Sequence, residues 1–174
     1  GLHGMAPGLD QIIGSLKYFE TSHFSKFHIF FIGDGPEKEF LINKSNKIIN
    51  CPISFIPPQP KANMPQIWAS SDIAIIPLKK YIPGAVPSKL YEAMSSGVPI
   101  IMISRGESKK IVYESECGIT ASPGDLKGIS DSITRLIVDK DLRDRMGKNG
   151  RKFVMKHFRR SVINKEFLEY LENN

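Results

Sequence analysis

The chain of 174 residues lacks the marks of a secreted, membrane-spanning or metal-binding protein. Cys51 and Cys117 are too few for a disulfide framework, which favours reduced thiols in the cytoplasm. Neither they nor His23, His28 and His157 stand at a metal-ligand spacing, so we predict no metal site. No apolar run approaches the ~20 residues that a spanning helix needs. The first residues also lack the basic and apolar regions of a signal peptide.

What the chain contains is typical of one globular domain. Hydrophobic residues make up 41% of the sequence and charged residues 24%, proportions that exclude collagen, coiled coil and disorder. The length fits a single domain over residues 1–174.

The net charge of +6 is concentrated near the C-terminus. Residues 140–174 contain ten Lys and Arg but only five Asp and Glu. A basic region can attract nucleic acid, anionic lipid or an acidic neighbouring domain, or it can be a solvated helix face. We do not expect nucleic acid, because no recognition motif or aromatic platform accompanies the basic residues. For an anionic membrane surface the charge predicts weak, salt-sensitive binding.

The hydrophobic pattern alternates between strands and helices. Continuous apolar runs predict strands at 27–32, 53–56, 72–77, 98–103 and 118–121. Helical periodicity predicts helices at 9–19, 37–46, 65–70, 87–96, 107–116, 125–138, 139–153 and 161–171. Strands without polar alternation, separated by helices, predict an α/β fold: a doubly wound, Rossmann-like parallel sheet with extra helices at its C-terminal end.

The start of the chain is unusual for such a fold. Residues 1–8 form a glycine-rich loop that opens directly into the first helix. In a doubly wound sheet such a loop follows a strand, and none precedes it here. We therefore expect the first strand to lie outside this sequence.

The segment from 83 to 101 predicts an anion site where a helix begins, beyond the carboxyl end of a strand. With Pro87 at the first helical position, the backbone N–H groups of Ser88 and Lys89 have no intrahelical acceptor. Together with the charge of Lys89 they can hold a phosphate. Glu92 lies one turn further on the same face, where it can accept hydrogen bonds from a ribose diol. The alternative is an ordinary exposed Lys89–Glu92 pair.

Residues 84–101 resemble the nucleotide-sugar signature of family 4 glycosyltransferases, which have the GT-B fold. Shorter matches to this family follow the same order along essentially the whole chain, and together they are more specific than any one alone. These matches are Gly4-Met5-Ala6-Pro7-Gly8-Leu9-Asp10, Phe31-Ile32-Gly33-Asp34-Gly35-Pro36-Glu37, Met64-Pro65, Ser71-Asp72-Ile73-Ala74, Cys117-Gly118-Ile119 and Pro123-Gly124-Asp125.

The resemblance implies the donor-binding, C-terminal half of a retaining glycosyltransferase, preceded by an acceptor-binding domain. The subgroup that it most resembles makes lipopolysaccharide, capsule or exopolysaccharide, often from UDP-N-acetyl sugars. Such enzymes hold the donor phosphates without a metal or other cofactor. Lipid-linked acceptors imply a place at the inner face of the membrane.

The resemblance also implies a role for each matched position. Glu92 binds the donor ribose, while Ser88 and Lys89 hold the diphosphate. The remaining positions belong to loops around the donor: Gly84, Ala85 and Val86 face the sugar, Gly4, Gly33 and Gly35 border the nucleotide, and Ile56 and Pro57 hold the base. No catalytic residue is assigned, because the family's N-terminal domain carries those groups.

This sequence departs from the family pattern at three positions. The first signature glutamate, eight positions before Glu92, falls at Gly84, so its contacts with the donor sugar are lost or replaced. The Arg and Lys that many members carry in the first loop fall near Leu2 and Pro7. These gaps leave Lys89 as the main cation for the phosphates.

Two other functions fit the same residues. Non-hydrolysing UDP-sugar 2-epimerases share the GT-B architecture, and a non-catalytic nucleotide-sugar-binding module needs no second half. Among lesser candidates, Trp68 can border the base or pack in the core, and His3 can contact a phosphate or lie on the surface. Asp34 and Glu107 occupy ligand-side loops, where solvation explains them equally well.

Overall fold

The computed structural model describes residues 8–78, 80 and 82–172 of the chain. Within these residues the predicted strands and helices are all present, in the predicted order. The strands are β1 (Ile29–Ile32), β2 (Ile53–Ile56), β3 (Ala74–Pro77), β4 (Ile100–Ile103) and β5 (Gly118–Ala121). The helices are α1 (Asp10–Ser15), α2 (Lys38–Ser45), α3 (Met64–Ala69), α4 (Ser88–Ser95), α5 (Glu107–Ser115), α6 (Leu126–Val138), α7 (Lys140–His157) and α8 (Arg160–Glu172).

Most differences from the predicted elements lie at their ends. The first strand begins at Ile29, whose N–H donates to the carbonyl of Pro52 at 2.7 Å, and not at residue 27. Helix α7 continues to His157, four residues beyond the predicted end. The structure also contains a 3₁₀ segment at Thr21–Lys26, which the sequence does not predict because it has no helical hydrophobic repeat.

The strands form two parallel ladders. β1 pairs with β2, and β4 lies between β3 and β5. No backbone pairing joins β1 to β3 in the part of the chain that the structure describes. Parallel pairing requires crossover connections, and helices provide them between each pair of neighbouring strands in the three-stranded ladder.

Helices cover both faces of the central strand, which confirms the doubly wound prediction. All four residues of β4 are buried. Ile101 and Ile103 pack with α1 and α6 in one hydrophobic cluster. Ile100 and Met102 face the other way and pack with α4, α5 and α7 in a second cluster. Apolar residues at consecutive positions of one strand are typical of such two-sided burial.

Glycines allow α7 to cross α4 closely. A Cβ atom at Gly147 would lie 2.0 Å from the carbonyl oxygen of Gly97, just beyond the end of α4. On the same helix, a Cβ at Gly150 would lie 2.9 Å from that of Cys117. Helix α4 is therefore fixed from behind by backbone contact, which leaves its first turn to face outward.

The C-terminal helix packs less fully than the others. On α8 the side chains of Ile163, Phe167, Leu168, Tyr170 and Leu171 are all exposed. Among the described residues, no helix is both long enough and apolar enough to cross a membrane. Helix α8 thus presents large hydrophobic side chains that the described residues leave exposed.

Candidate functional site

The amino end of α4 is open to solvent. Pro87 is extended, with φ −69° and ψ 134°, so the helix begins at Ser88 and Pro87 lies one position before the predicted place. The N–H of Leu90 donates to the carbonyl of Pro87 at 3.0 Å. The two preceding N–H groups, those of Ser88 and Lys89, have no acceptor within the helix, and both residues are exposed. An anion can approach them from outside.

The opposite face of α4 anchors it in the protein. Leu90, Ala93 and Met94 are fully buried in the second hydrophobic cluster, as the periodicity predicts. Since Glu92 lies on the other side of the helix, its side chain is exposed together with Ser88 and Lys89.

Both carboxylate oxygens of Glu92 accept hydrogen bonds from protein groups. The Trp68 indole Nε1–H donates to Oε2 at 3.3 Å, and the Ser88 hydroxyl donates to Oε1 at 3.1 Å. In the described part of the chain, Lys89 and Glu92 form no ion pair with each other. The alternative prediction, an ordinary exposed Lys89–Glu92 pair, is therefore wrong. Glu92 is a fixed acceptor beside a separate cation.

The hydroxyl of Ser88 forms a hydrogen bond within the protein. The sequence predicts a phosphate contact for the backbone N–H of Ser88, and the resemblance places this residue beside the diphosphate. Its Oγ is directed toward Glu92 at 3.1 Å, whereas its backbone N–H stays at the open end of the helix. Any phosphate contact by Ser88 in this arrangement is therefore a backbone contact.

The loop before α4 exposes its backbone. Gly84 has φ +75°, and nothing lies within 4 Å of the place that a Cβ would occupy. Ala85 is also exposed, and its N–H donates to the carbonyl of Ile82 at 3.1 Å. Val86 packs against the second hydrophobic cluster, which ties the loop to the core. The position of the missing family glutamate thus has room for a ligand but a backbone that favours glycine.

The two nucleotide loops of the first ladder meet through the backbone. Gly33 follows β1, and its N–H donates to the carbonyl of Ile56 at 3.0 Å. The Gly35 N–H donates to Asp34 Oδ1 at 2.8 Å, which fixes the turn into α2. Pro57 follows β2 and is exposed. Within this ladder, Gly33, Gly35, Ile56 and Pro57 therefore share one end, while Gly4 and His3 lie outside the described residues.

The start of α5 contains polar groups that the sequence analysis overlooked. The hydroxyls of Ser104 and Ser108 are buried and have no hydrogen-bond partner among the described residues. They flank Gly106, whose φ of +75° turns the chain from β4 into the helix. Only Glu107 was singled out beforehand. A serine directly after an apolar strand was the one available signal for Ser104.

The titratable groups show few perturbations. Burial raises the pKa of the Cys117 thiol, and it also raises the pKa of Cys51 and of the Tyr91 hydroxyl. Both cysteines are free, as predicted, and thiols with raised pKa are poor nucleophiles. Within residues 8–78, 80 and 82–172, no group of three His, Cys, Asp or Glu side chains could hold a metal ion.

Comparison with known proteins places these features in a family context. Residues 6–153 match the family described as glycosyl transferases group 1. The chain is 31% identical over 140 residues to sulfoquinovosyl transferase SQD2 of Arabidopsis thaliana. This alignment covers 79% of this chain and 26% of that protein. It is 30% identical over 133 residues to N-acetyl-alpha-D-glucosaminyl L-malate synthase of Bacillus anthracis, covering 76% of this chain and 34% of that protein.

A solved structure shares the fold. Anabaena Alr3699/HepE in complex with UDP superimposes with a TM-score of 0.82 at 18% identity, covering 100% of this chain and 47% of that chain. The chain therefore spans only about a quarter to a half of the length of the proteins it matches.

Proposed function

Because this chain belongs to the group 1 glycosyl transferases, we propose that it binds the nucleotide-sugar donor of a retaining glycosyltransferase, with UDP as the nucleotide. One observation carries the proposal: an uncapped helix end beside a carboxylate that is already held in place. Glu92 lies one turn from the free N–H groups of α4, and two protein donors fix its carboxylate. The UDP in the similar Anabaena structure supports the choice of nucleotide.

In the proposed complex the donor diphosphate lies against the first turn of α4. The N–H groups of Ser88 and Lys89 donate to its oxygens, and the positive end of the helix dipole adds to the attraction. Lys89 supplies a full positive charge and has no ion-pair partner among the described residues. Glu92 accepts hydrogen bonds from the two ribose hydroxyls.

The other predicted residues complete the donor site. The loop of Gly84, Ala85 and Val86, which is exposed at its first two residues, faces the sugar, which we propose to be an N-acetyl sugar. Gly33 and Gly35 border the nucleotide, and Ile56 and Pro57 contact the base through their backbone. No metal or cofactor is part of this proposal, since Lys89, the single cation of α4, and the positive end of the helix dipole attract the phosphates.

The proposed reaction transfers the sugar with retention of configuration. The bond between the anomeric carbon and the diphosphate oxygen breaks, and the same carbon forms a bond to an acceptor hydroxyl oxygen. The hydroxyl proton leaves with the diphosphate. This chain's contribution is to stabilise the negative charge that develops on the departing diphosphate, through Lys89 and the first N–H groups of α4.

We further propose that the acceptor binds to another part of the polypeptide. The matched relatives are about two to three times as long as this chain, which leaves room for an acceptor domain. The apolar row on α8 offers this domain a packing surface.

A further strand placed between β1 and β3 would join the two ladders into one sheet. The order would then be β2–β1–new strand–β3–β4–β5, which is the strand order of a doubly wound dinucleotide-binding sheet.

We propose that the acceptor is a lipid-linked or cell-surface polysaccharide, and that the protein therefore associates peripherally with the inner face of the membrane. The outer face of α7 presents the exposed cations Lys148, Arg151, Lys152 and Lys156. Arg143 is not among them, because its guanidinium donates to the carbonyls that end α6, including that of Ile137 at 2.9 Å. We expect the chain to bind anionic liposomes in low salt and to release them as salt rises. Equal binding to neutral vesicles would contradict this part of the proposal.

Calorimetric titration of UDP into the chain tests the donor site. We expect Glu92→Ala and Lys89→Ala each to weaken UDP binding about tenfold, because each removes a charge-assisted contact. Matched controls are Glu114→Ala and Lys110→Ala, which break an exposed ion pair on α5. These controls should leave UDP affinity unchanged. The proposal fails if both α4 variants bind UDP as tightly as the unmodified chain.

A further inference from the structure

Glu92 receives hydrogen bonds from two different helices. Ser88 belongs to the same helix, α4, whereas Trp68 belongs to α3, 24 positions earlier in the chain. The Trp68 ring is half-buried against the second hydrophobic cluster, so its indole N–H has a fixed direction. A rigid donor anchored in the core therefore holds an exposed carboxylate.

The Glu92 carboxylate can accept further hydrogen bonds from a ligand. An ionised carboxylate can accept about four hydrogen bonds, and the described residues supply two of them. The remaining acceptor positions match in number the two hydroxyls of a vicinal diol. An exposed glutamate normally samples many rotamers, and fixing it in advance removes that entropic cost from ligand binding.

We propose that Trp68 is a positioning residue that orients Glu92 for the ribose of the donor. This inference rests on the proposed function, because it assumes that Glu92 binds the ribose hydroxyls. It goes further by giving the tryptophan a role through its N–H group, in addition to packing. Trp68 touches Glu92 and not the nucleotide.

The test separates the N–H group from the ring. Trp68→Phe keeps an aromatic ring for packing and removes the donor. We compare the affinities of UDP and of 2′,3′-dideoxy-UDP, which lacks both hydroxyls, by calorimetry. The unmodified chain should bind UDP about tenfold more tightly than the dideoxy compound. In Trp68→Phe we expect UDP affinity to fall about threefold while the affinity for the dideoxy compound stays the same.

Tyr91→Phe is the matched control. Tyr91 is a half-buried aromatic of the same hydrophobic cluster, and its ring centroid lies 4.7 Å from that of Phe158. The substitution likewise removes one polar hydrogen. The ratio of the two affinities should not change in this variant. A Trp68→Phe variant that loses affinity for both ligands equally, or for neither, overturns the inference.

The Glu92→Ala variant distinguishes a failure of the proposed ribose contact from a failure of the positioning role of Trp68. If Glu92→Ala abolishes the preference for UDP and Trp68→Phe preserves it, the positioning role is wrong and the donor site stands. If Glu92→Ala leaves the preference intact, the proposed ribose contact is wrong and the positioning role falls with it.

A second measurement does not depend on the folding of a Trp68 variant. Trp68 is the single tryptophan of the chain, so intrinsic tryptophan fluorescence reports on it alone. At saturation, UDP should change the emission more than the dideoxy compound does, because only UDP shares the Glu92 carboxylate with the indole. Equal changes at saturation with both ligands would overturn the inference.

Discussion

Helices α4 and α6 both follow a strand of the three-stranded ladder, yet their amino ends are completed in different ways. In α6, Asp125 Oδ1 accepts the N–H of Gly128 at 2.9 Å, and α7 is capped similarly by Asp139, which accepts from Leu142 at 2.8 Å. In α4 the capping position is Pro87, which has no side-chain acceptor.

The missing side-chain cap alone does not distinguish α4, because α1, α2, α3 and α5 also lack one. Helix α4 combines this open end with a first turn that contains a lysine and no acidic residue. An aspartate at the capping position satisfies a free N–H group and balances the positive end of the helix dipole. Helix α4 lacks that carboxylate and carries Lys89 in its first turn, so positive charge accumulates there. A bound diphosphate would supply in α4 what Asp125 supplies in α6.

The largest expected effect tests whether α4 is fixed in place, as the comparison with α6 requires. A Cβ at Gly147 would clash with the carbonyl oxygen of Gly97, which lies 2.0 Å from its position. Because backbone must move to relieve the clash, Gly147→Ala should lower the free energy of unfolding by about 2 kcal/mol. Urea denaturation measures this change. Lys148→Ala, at the next and exposed position, is the control and should be close to neutral. Equal stability of both variants would show that α4 is not held by this contact.

Pro87→Asp should convert the α4 end into the α6 type. The new carboxylate can cap the free N–H groups and occupies the place proposed for the phosphate. We expect UDP affinity to fall at least about tenfold, through competition and like-charge repulsion, with no loss of stability. Calorimetry and thermal unfolding measure the two quantities. Pro87→Asn, a neutral cap, should weaken UDP less, and an equal loss in both variants would rule out the charge as the cause.

The converse change at α6 should affect stability alone. Asp125→Ala removes the cap, and we expect about 1 kcal/mol less stability in urea denaturation. UDP affinity should stay the same, because Asp125 balances its own helix. Asp131→Ala on the same helix removes an exposed ion pair with Lys127 and should change stability less. Loss of UDP binding in Asp125→Ala would contradict the prediction that the cap of α6 affects stability alone.

The sequence was sufficient to predict the order of elements and the faces of α4. Proline and glycine mark the ends of the segments, and unbroken apolar runs such as that of β4 identify buried parallel strands. The burial of Leu90, Ala93 and Met94 follows from helical spacing alone. These features depend on neighbours within a few positions, which is why they could be predicted.

Contacts between distant segments could not be predicted in the same way. The Trp68–Glu92 hydrogen bond joins residues 24 positions apart, and nothing in the pattern of α3 shows which way its ring points. For the same reason Trp68 remained undecided between the core and the base. The Ser88–Glu92 hydrogen bond, in contrast, joins positions four apart on one helix, where helical spacing alone brings the two side chains together. The separation of the strands into two ladders likewise depends on strands that are not neighbours in sequence.

The smallest expected effect concerns the ion pair between Lys140 and Asp144 at the start of α7. This pair is an alternative to the Asp139 cap as the interaction that stabilises the amino end of the helix. Lys140 donates to Asp144 at 2.6 Å, and this hydrogen bond lowers the pKa of the Asp144 carboxyl. Since its folded pKa lies below the ordinary value of 3.8, the pair stabilises the fold above that pH and loses its effect as pH falls through the lower folded value. Both side chains are more than half exposed, so solvent screens the pair. Asp144→Asn should therefore lower Tm only slightly at pH 7, and less still as the pH falls through the folded pKa of Asp144, whereas Asp139→Ala should lower Tm clearly at pH 7. If the two variants lose equal stability at pH 7, the cap contributes no more than the ion pair to the amino end of α7, and the contrast between α4 and the capped helices rests on α6 alone.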